Sequence, residues 1–385
     1  MSGEINASNG AAWTIGTDYM KNNRDAKRYS GPPTGGTPTN LQSILWPDVD
    51  LAQTGLFAEM TRPLSARDVL TTGLRYDYVD TSAGRANQNA NVTPALSRSP
   101  NELYNLYYGT GEGDDDHTEN NIGGFLTLEH ALTPDSTVYA TLSRSVRTAD
   151  ATERFIASDN GPNTSQHWVG NPDLDPEAHH QLELGYTRDA GFWDTAASVY
   201  YNDVSDNILR DRAHDQKGIL QDDNASIYRN VDAQLYGFEI EAGIRWGSYW
   251  SSRATLAYVH AENTDDDRPI AQMPPLGGTV SLEYTRADWN VGGMVRADRR
   301  QNRVEDDIFT DSGQDADKTP GWYTLDLFGR YEGVKNVSIG AGINNVFDRA
   351  YAYHVNAANS DPFNPSAVQV NEPGRAYWVQ LNATF

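Results

Sequence analysis

Side chains alternate strictly toward the end of the chain. Tyr377, Val379, Leu381, Ala383 and Phe385 share one face, and Trp378, Gln380, Asn382 and Thr384 share the other. Period two predicts a strand with a single apolar face. The pattern recurs upstream: Phe238, Ile240, Ala242, Ile244 and Trp246 oppose Glu239, Glu241, Gly243 and Arg245, and Trp289, Val291, Gly293, Val295 and Ala297 oppose Asn290, Gly292, Met294, Arg296 and Asp298. Counting such segments predicts about 14 strands, beginning near Trp13, Leu51, Val69, Ile122, Thr137, Gln181, Trp193, Ser226, Trp250, Gly278, Trp289, Trp322, Val337 and Arg375. No segment reads as a capped helix of 3.6 periodicity.

The connections separate a sandwich from a membrane barrel. Very short turns at 62–67, 132–136, 189–191, 247–249, 286–288 and 333–335 alternate with long stretches rich in Gly, Asp, Asn and Pro at roughly 21–50, 81–117, 151–179, 213–223, 263–275, 302–320 and 353–373. Tight periplasmic turns opposite long outer loops are the rhythm of an outer-membrane barrel, where the apolar face meets lipid and the lumen is polar. The predicted fold is therefore all-β, an antiparallel up-and-down transmembrane β-barrel. Trp193, Trp246, Trp250, Trp289 and Trp322, near strand ends, are read as an aromatic girdle at the membrane interface.

Composition narrows the rest. With 30 Lys and Arg against 53 Asp and Glu the net charge is −23, which repels nucleic-acid phosphate. There is no Cys, so disulfides, thiolate metal sites and Cys nucleophiles are excluded. No apolar run is long enough for a transmembrane helix, and the opening MSGEINASNG has no signal-peptide pattern. A nucleophile elbow, a phosphate-binding glycine loop and a His-Glu-x-x-His helix are all lacking, so no enzyme is expected.

Three stretches carry more than periodicity. GNPDLDPE at 170–177 resembles the GNP-L-PE stretch of TonB-dependent outer-membrane receptors, INNVFDRAY at 343–351 resembles their N-L/V-F-D-x-x-Y stretch, and PGR followed by a strand and a terminal Phe resembles their ending. The motif residues are Gly170, Asn171, Pro172, Asn345, Phe347 and Asp348. FDRAYAYHVN, AVQVNEPGRAYW and RPIAQMPPLGG look most like the copper-receptor branch. Such receptors have a barrel of about 22 strands filled by an N-terminal plug. The resemblance therefore implies that residues 1–385 are the C-terminal barrel segment, with the plug, the TonB box and the first barrel strands absent.

It further implies uptake of scarce metal, copper or a chelate, across the outer membrane of a Gram-negative bacterium, energised by TonB through the missing plug. A passive porin-like channel and a siderophore receptor are the alternatives. No cofactor is expected, and lipid, lipopolysaccharide and the outer-membrane assembly machinery are the expected partners; Tyr377 and Phe385 resemble the terminal signal that this machinery reads.

Candidate metal contacts are Met20, His260 and His354, at or near the outer end, since thioether and imidazole suit copper. The family's soft-ligand solution uses Met and Cys, so a complete site would need plug residues. The inward charges Glu59, Arg75, Asp77, Glu183, Glu239, Glu241, Arg245, Glu283, Arg296, Asp298, Asp326 and Arg330 read as a lumen network or a charged path. The acidic runs Asp114–Asp116 and Asp265–Asp267 read as solvated loop tips.

Overall fold

The computed structural model describes residues 2–6, 10–30, 37, 40–90, 98–110, 116–358 and 368–384. Its strands are β1 (Ser2–Asn6), β2 (Ala12–Ser30), β3 (Asn40–Pro63), β4 (Asp68–Ala83), β5 (Asp116–Thr133), β6 (Ser136–Arg147), β7 (Ala157–Ser158), β8 (Trp168–Val169) and β9 (Glu177–Asp189). They continue with β10 (Trp193–His214), β11 (Asp222–Trp246), β12 (Trp250–Asn263), β13 (Arg268–Pro269), β14 (Gly277–Arg286), β15 (Trp289–Asp298), β16 (Trp322–Val334), β17 (Val337–Asn344) and β18 (Ala376–Ala383). Among the described residues two α-helices, α1 (Pro100–Tyr108) and α2 (Ala151–Phe155), sit in the connections.

Apart from the two-residue pieces β7, β8 and β13, each strand pairs antiparallel with the next in the chain, from β1 to β18. That wall holds every strand expected from periodicity and adds β1, whose SGEIN sequence offers a single apolar residue to read. Among the described residues β1 and β18 each have one ladder neighbour, so the sheet is an open wall with two edges.

Outward positions form the apolar band. Leu74, Ile122, Leu142, Val280 and Val379 are all exposed, Val379 at 80%. A face this apolar and this exposed in water would be an aggregation liability; in lipid it is the required surface. At the short-turn end Trp246, Trp250 and Trp289 are exposed, and rings pack across strands, Trp289 4.5 Å from Tyr331 and Trp250 5.0 Å from Tyr284. Trp322 departs from the girdle. It lies at the outer end of β16, buried, on the same face as Thr324 and Asp326, with its ring 4.3 Å from that of Tyr351.

The strands run further outward than their apolar alternation does. β2 continues to Ser30 and β3 starts at Asn40, where a long loop was expected over 21–50. Above the membrane neither face must be apolar, so KNNRDAKRYS carries no period-two signal, while an antiparallel ladder with three register shifts still pairs most of it with β3. The expected absence of capped helices is also corrected. Ser99 accepts from the Glu102 N–H and the Glu102 carboxylate accepts from the Ser99 N–H, Pro100 opens α1, and Gly109 ends it at φ +70°. Asp150 and Glu153 cap α2 in the same reciprocal way.

These outer elements hold the principal hydrophobic cluster among the described residues. Leu103, Tyr104, Tyr107, Phe155, Val169, Ile219 and Ile227 pack together at 3% exposure or less. The wall has lipid outside and a polar lumen, so the apolar packing concentrates where the long connections fold over one another.

Candidate functional site

The lumen face is an array of charged pairs. Arg75 from β4 grips two carboxylates, with Nη1 and Nη2 2.8 and 2.9 Å from Asp18 and Nε and Nη2 2.7 and 2.6 Å from Asp77. Arg296 donates to Asp326 at 2.6 Å, Arg253 bridges Glu241 and Asp194, and Glu183 accepts from Tyr139 at 2.7 Å. Paired charges of this kind can stay ionised away from bulk water, whereas isolated ones cannot. Glu59 and Glu239 make no ion pair among the described residues, so negative charge remains on offer to a cation in the lumen. A cavity of about 320 Å³ beside the Arg75 grip is lined by Met20, Gln53, Asp77, Asn121 and Arg147.

Above the lumen, the GNPDLDPE stretch latches the cap to the wall through one fully buried arginine. Arg154 donates from Nη1 to the Pro172 carbonyl at 2.6 Å and from Nη2 to the Leu174 carbonyl at 2.8 Å and the Glu119 carboxylate at 2.6 Å. Burial pushes the Arg154 guanidinium down from its ordinary pKa and Glu119 opposes this; arginine stays protonated regardless. Gly170 is needed for the approach, because a Cβ there would meet the Arg154 carbonyl carbon and oxygen and the Ile156 nitrogen at 2.7 Å. Glu177 completes the latch by accepting from Arg147 at 2.9 Å and from the Ile208 N–H at 3.0 Å.

The other two motifs meet in space. The Asn345 N–H donates to Asp326 Oδ1 at 2.8 Å, its amide donates to the Arg349 carbonyl at 2.8 Å, and its Oδ1 accepts from the Arg349 N–H at 2.9 Å. Asp348 accepts from the Arg375 N–H at 2.8 Å, and Arg375 Nε returns to the Val346 carbonyl at 2.8 Å. Asn345 and Asp348 sit at φ +51° and +54°, conformations that Asn and Asp tolerate better than most residues. Together, NNVFD and PGR form one clasp that delivers the chain into β18.

Two buried polar clusters tie the cap's remaining loops. His167 is fully buried, with Nδ1 2.9 Å from the Tyr107 hydroxyl and Nε2 3.1 Å from Asp159, while Tyr107 donates to Asp223 at 2.8 Å. Burial pushes the Tyr107 hydroxyl well up. Burial also pushes Asp159 up, but the His167 and Gly161 hydrogen bonds outweigh it and hold that carboxyl below its usual range.

In the second cluster Asp211, fully buried, accepts from Arg229 and Arg268 at 2.9 Å each; both arginines also reach Asp266, and Arg268 lies 3.4 Å from Glu305. Burial raises Glu305. It also raises Asp315, where His354 and the N–H groups of Glu305 and Gln272 overcome it and leave the carboxyl low. Within the acidic run 265–267, Asp265 and Asp267 are exposed as a solvated tip requires, while Asp266 is bound into this network; Asp265 also accepts from the Asp232 N–H. Asp114 and Asp115 lie outside the described residues.

The three metal candidates occupy separate surroundings. Met20 lines the lumen cavity. His260 stacks on Tyr236 at 4.5 Å, on the outward face of β12. His354 is fully buried between Thr319, 2.8 Å from Nδ1, and Asp315, 3.3 Å from Nε2. No group of three His, Asp or Glu placed to hold a metal ion occurs among the described residues. Tyr377 is exposed on the outward face of β18, and Phe385 lies outside the described residues. Arg154 and Asp211 escaped sequence reasoning; only the S-P-N-E and D-A-T-E capping boxes could have pointed to the packed elements around them.

Comparison with known proteins adds the family. The model for the TonB dependent receptor-like β-barrel matches residues 1–346. The ferric enterobactin receptor of Pseudomonas aeruginosa is 25% identical over 344 residues, spanning 86% of this chain and 42% of the relative. Transferrin-binding protein A of Neisseria meningitidis serogroup B is 24% identical over 250 residues, 55% of this chain and 27% of the relative. The copper transporter OprC superposes with a TM-score of 0.78 at 28% identity, covering 100% of this chain and 55% of that one. The ferric yersiniabactin receptor FyuA of Yersinia pestis, at TM-score 0.66 and 15% identity over 99% of this chain and 52% of its own, shares the fold. The chain spans about half the length of these structures or less of its curated relatives.

Proposed function

The chain belongs to the TonB-dependent receptor family of Gram-negative outer membranes, and from that premise we propose that it forms the C-terminal wall and outer mouth of a receptor importing a scarce metal, copper foremost, or a metal chelate. It is not an enzyme. The plug, the TonB contact and the earlier wall strands belong, on this reading, to residues beyond this chain, and TonB pulls on that plug to release the cargo inward.

The observation that carries copper is the match to a copper transporter along the whole chain at 28% identity. The unpaired Glu59 and Glu239 carboxylates in a lumen of otherwise paired charges, and Met20 on the wall of its cavity, support a cationic cargo. His260 faces outward and His354 is sealed among loops, which among the three donors favours Met20 as the one that meets the cargo.

Accumulation of isotopic copper in cells with and without the intact receptor tests the reading. Deletion is expected to cut copper uptake at limiting external metal, and Met20→Ala in the restored receptor to weaken it partially. Unchanged copper uptake together with lost ferric-siderophore uptake would transfer the cargo to the ferric chelates of the relatives.

A further inference from the structure

The stretch TSQHWVG turns tightly inside the outer cap. The His167 N–H donates to the Thr164 carbonyl at 2.8 Å and the His167 carbonyl accepts from the Ser226 N–H at 2.9 Å, so the residue is tied at both of its backbone groups and its ring is wholly buried. The ring joins three elements: α1 through Tyr107, the segment after β7 through Asp159 and Gly161, and, by way of Tyr107, β11 at Asp223.

Counting protons fixes the charge of that ring. Nε2 lies 3.1 Å from the Asp159 carboxylate and 3.2 Å from the Gly161 carbonyl, both acceptors. Nδ1 lies 2.9 Å from the Tyr107 hydroxyl, which is also 2.8 Å from the Asp223 carboxylate. A tyrosine hydroxyl has a single proton and cannot give it to the imidazole and the carboxylate together. The contacts at Nε2, at Nδ1 and at Asp223 therefore need one proton more than a phenol and a neutral imidazole supply. The imidazolium provides it, with an N–H on each side of the ring.

The surrounding charges agree. Asp159 and Asp223 face the cluster as acids, and Arg98, 3.5 Å from Asp159, reaches the first but has no contact with the second. Arg28 of β2 donates to the Asp159 backbone carbonyl and to Ser158, outside the ring. Burial raises the Tyr107 hydroxyl, which keeps its proton; burial also works against the Asp159 charge, and the bonds from His167 and Gly161 overcome it. Of the side chains in this cluster, imidazole is the type whose charge ordinarily changes near neutrality.

We propose that His167 is a proton-operated lock on the outer cap: charged, it clamps the 157–169 segment to α1 and β11, and loss of one proton leaves either Nδ1 or Asp223 without a hydrogen bond and frees the segment. The clamp is complete in mildly acidic medium and weakens as the pH rises. The freed segment continues from α2, whose first turn lines the lumen cavity beside Met20, so the lock couples the pH outside the cell to access from above. It depends on the cap alone and holds whatever the cargo is.

Hydrogen exchange on the intact receptor in detergent, corrected for the intrinsic pH dependence of exchange, tests the lock. Protection over 157–169 in wild type is expected to fall by about ten- to a hundredfold between about pH 5.5 and about pH 8.5, as loss of one buried hydrogen bond to a charged group requires. The ladders of β9 and β10 at membrane depth should not change. His167→Gln removes the titrating ring and should hold 157–169 at one low level throughout. Asp223→Asn is the sharper variant. Its amide donates to the Tyr107 oxygen and turns the Tyr107 proton toward Nδ1, so a neutral imidazole suffices and protection should stay high at both ends of the range. Heat-modifiable gel migration reports an intact barrel in each variant. Wild-type protection that does not change with pH overturns the lock, as does a fall that persists at full size in His167→Gln or Asp223→Asn. Uniformly low protection in Asp223→Asn overturns it too, because the added proton would then do nothing.

Discussion

Arg154→Ala is expected to release the outer cap at a cost of about 3–5 kcal/mol, the range for removing one partner of a buried ion pair. The substitution strands the Glu119 carboxylate in a dry site, leaves the Pro172 and Leu174 carbonyls without their donor, and opens a void beside Ile156 and Leu174. Glu119 has secondary partners in Asn121 and Thr148, which soften the loss without replacing the charge. Hydrogen exchange resolves the effect by region. Protection over 149–176 should fall by several orders of magnitude while the membrane-level ladders of β9 and β10 stay protected. Arg154→Lys, which keeps the charge and part of the donor set, should fall between the two. Wild-type protection of 149–176 in Arg154→Ala would mean that the GNPDLDPE stretch does not depend on this residue.

Leu184→Arg carries the second large effect, about 2–4 kcal/mol against assembly, because its side chain points outward near the middle of β9 at the depth where a charge is most costly in lipid. Leu184 is half exposed and pairs with Ala140 and Val199, both on the outward face. Gln181→Arg, three residues away and inward beside Glu183, gains an acidic neighbour and should assemble normally. The folded fraction, read as heat-modifiable migration after extraction from cells, should drop for L184R alone. Equal behaviour of the two variants would remove the distinction between faces on which the membrane placement rests.

How far the sequence could be read follows from where each signal comes from. At membrane depth lipid enforces an apolar outer face and water a polar inner one, so runs such as Phe238–Trp246 show both the strand and its orientation. Above the membrane that constraint ends. The outer halves of β2 and β3 therefore looked like loop, although the two strands stay paired there through three register shifts. The helices were legible at their ends rather than in their periodicity, since α1 has only 9 residues and α2 only 5. The GNPDLDPE and NNVFD motifs could be recognised, but their physical content, carbonyls aimed at a buried arginine and Asn and Asp held at positive φ, needed tertiary structure. Nothing in the sequence separates Arg154 from the chain's other arginines. Met20, His260 and His354 were grouped by donor chemistry, and the fold sends them to the lumen, the outward face of β12 and a sealed loop core.

The membrane wall itself can be tested through the absence of cysteine, which allows single Cys residues to be introduced and labelled without background from this chain. Nitroxide labels at Leu182, Leu184, Val199 and Tyr201 should collide readily with oxygen dissolved in lipid and poorly with a water-soluble nickel chelate. Labels at Glu183, Ser198 and Tyr200 should show the reverse. Alternation residue by residue along β9 and β10 is the expected result; uniform access of the aqueous reagent to both faces would contradict the outer-membrane wall.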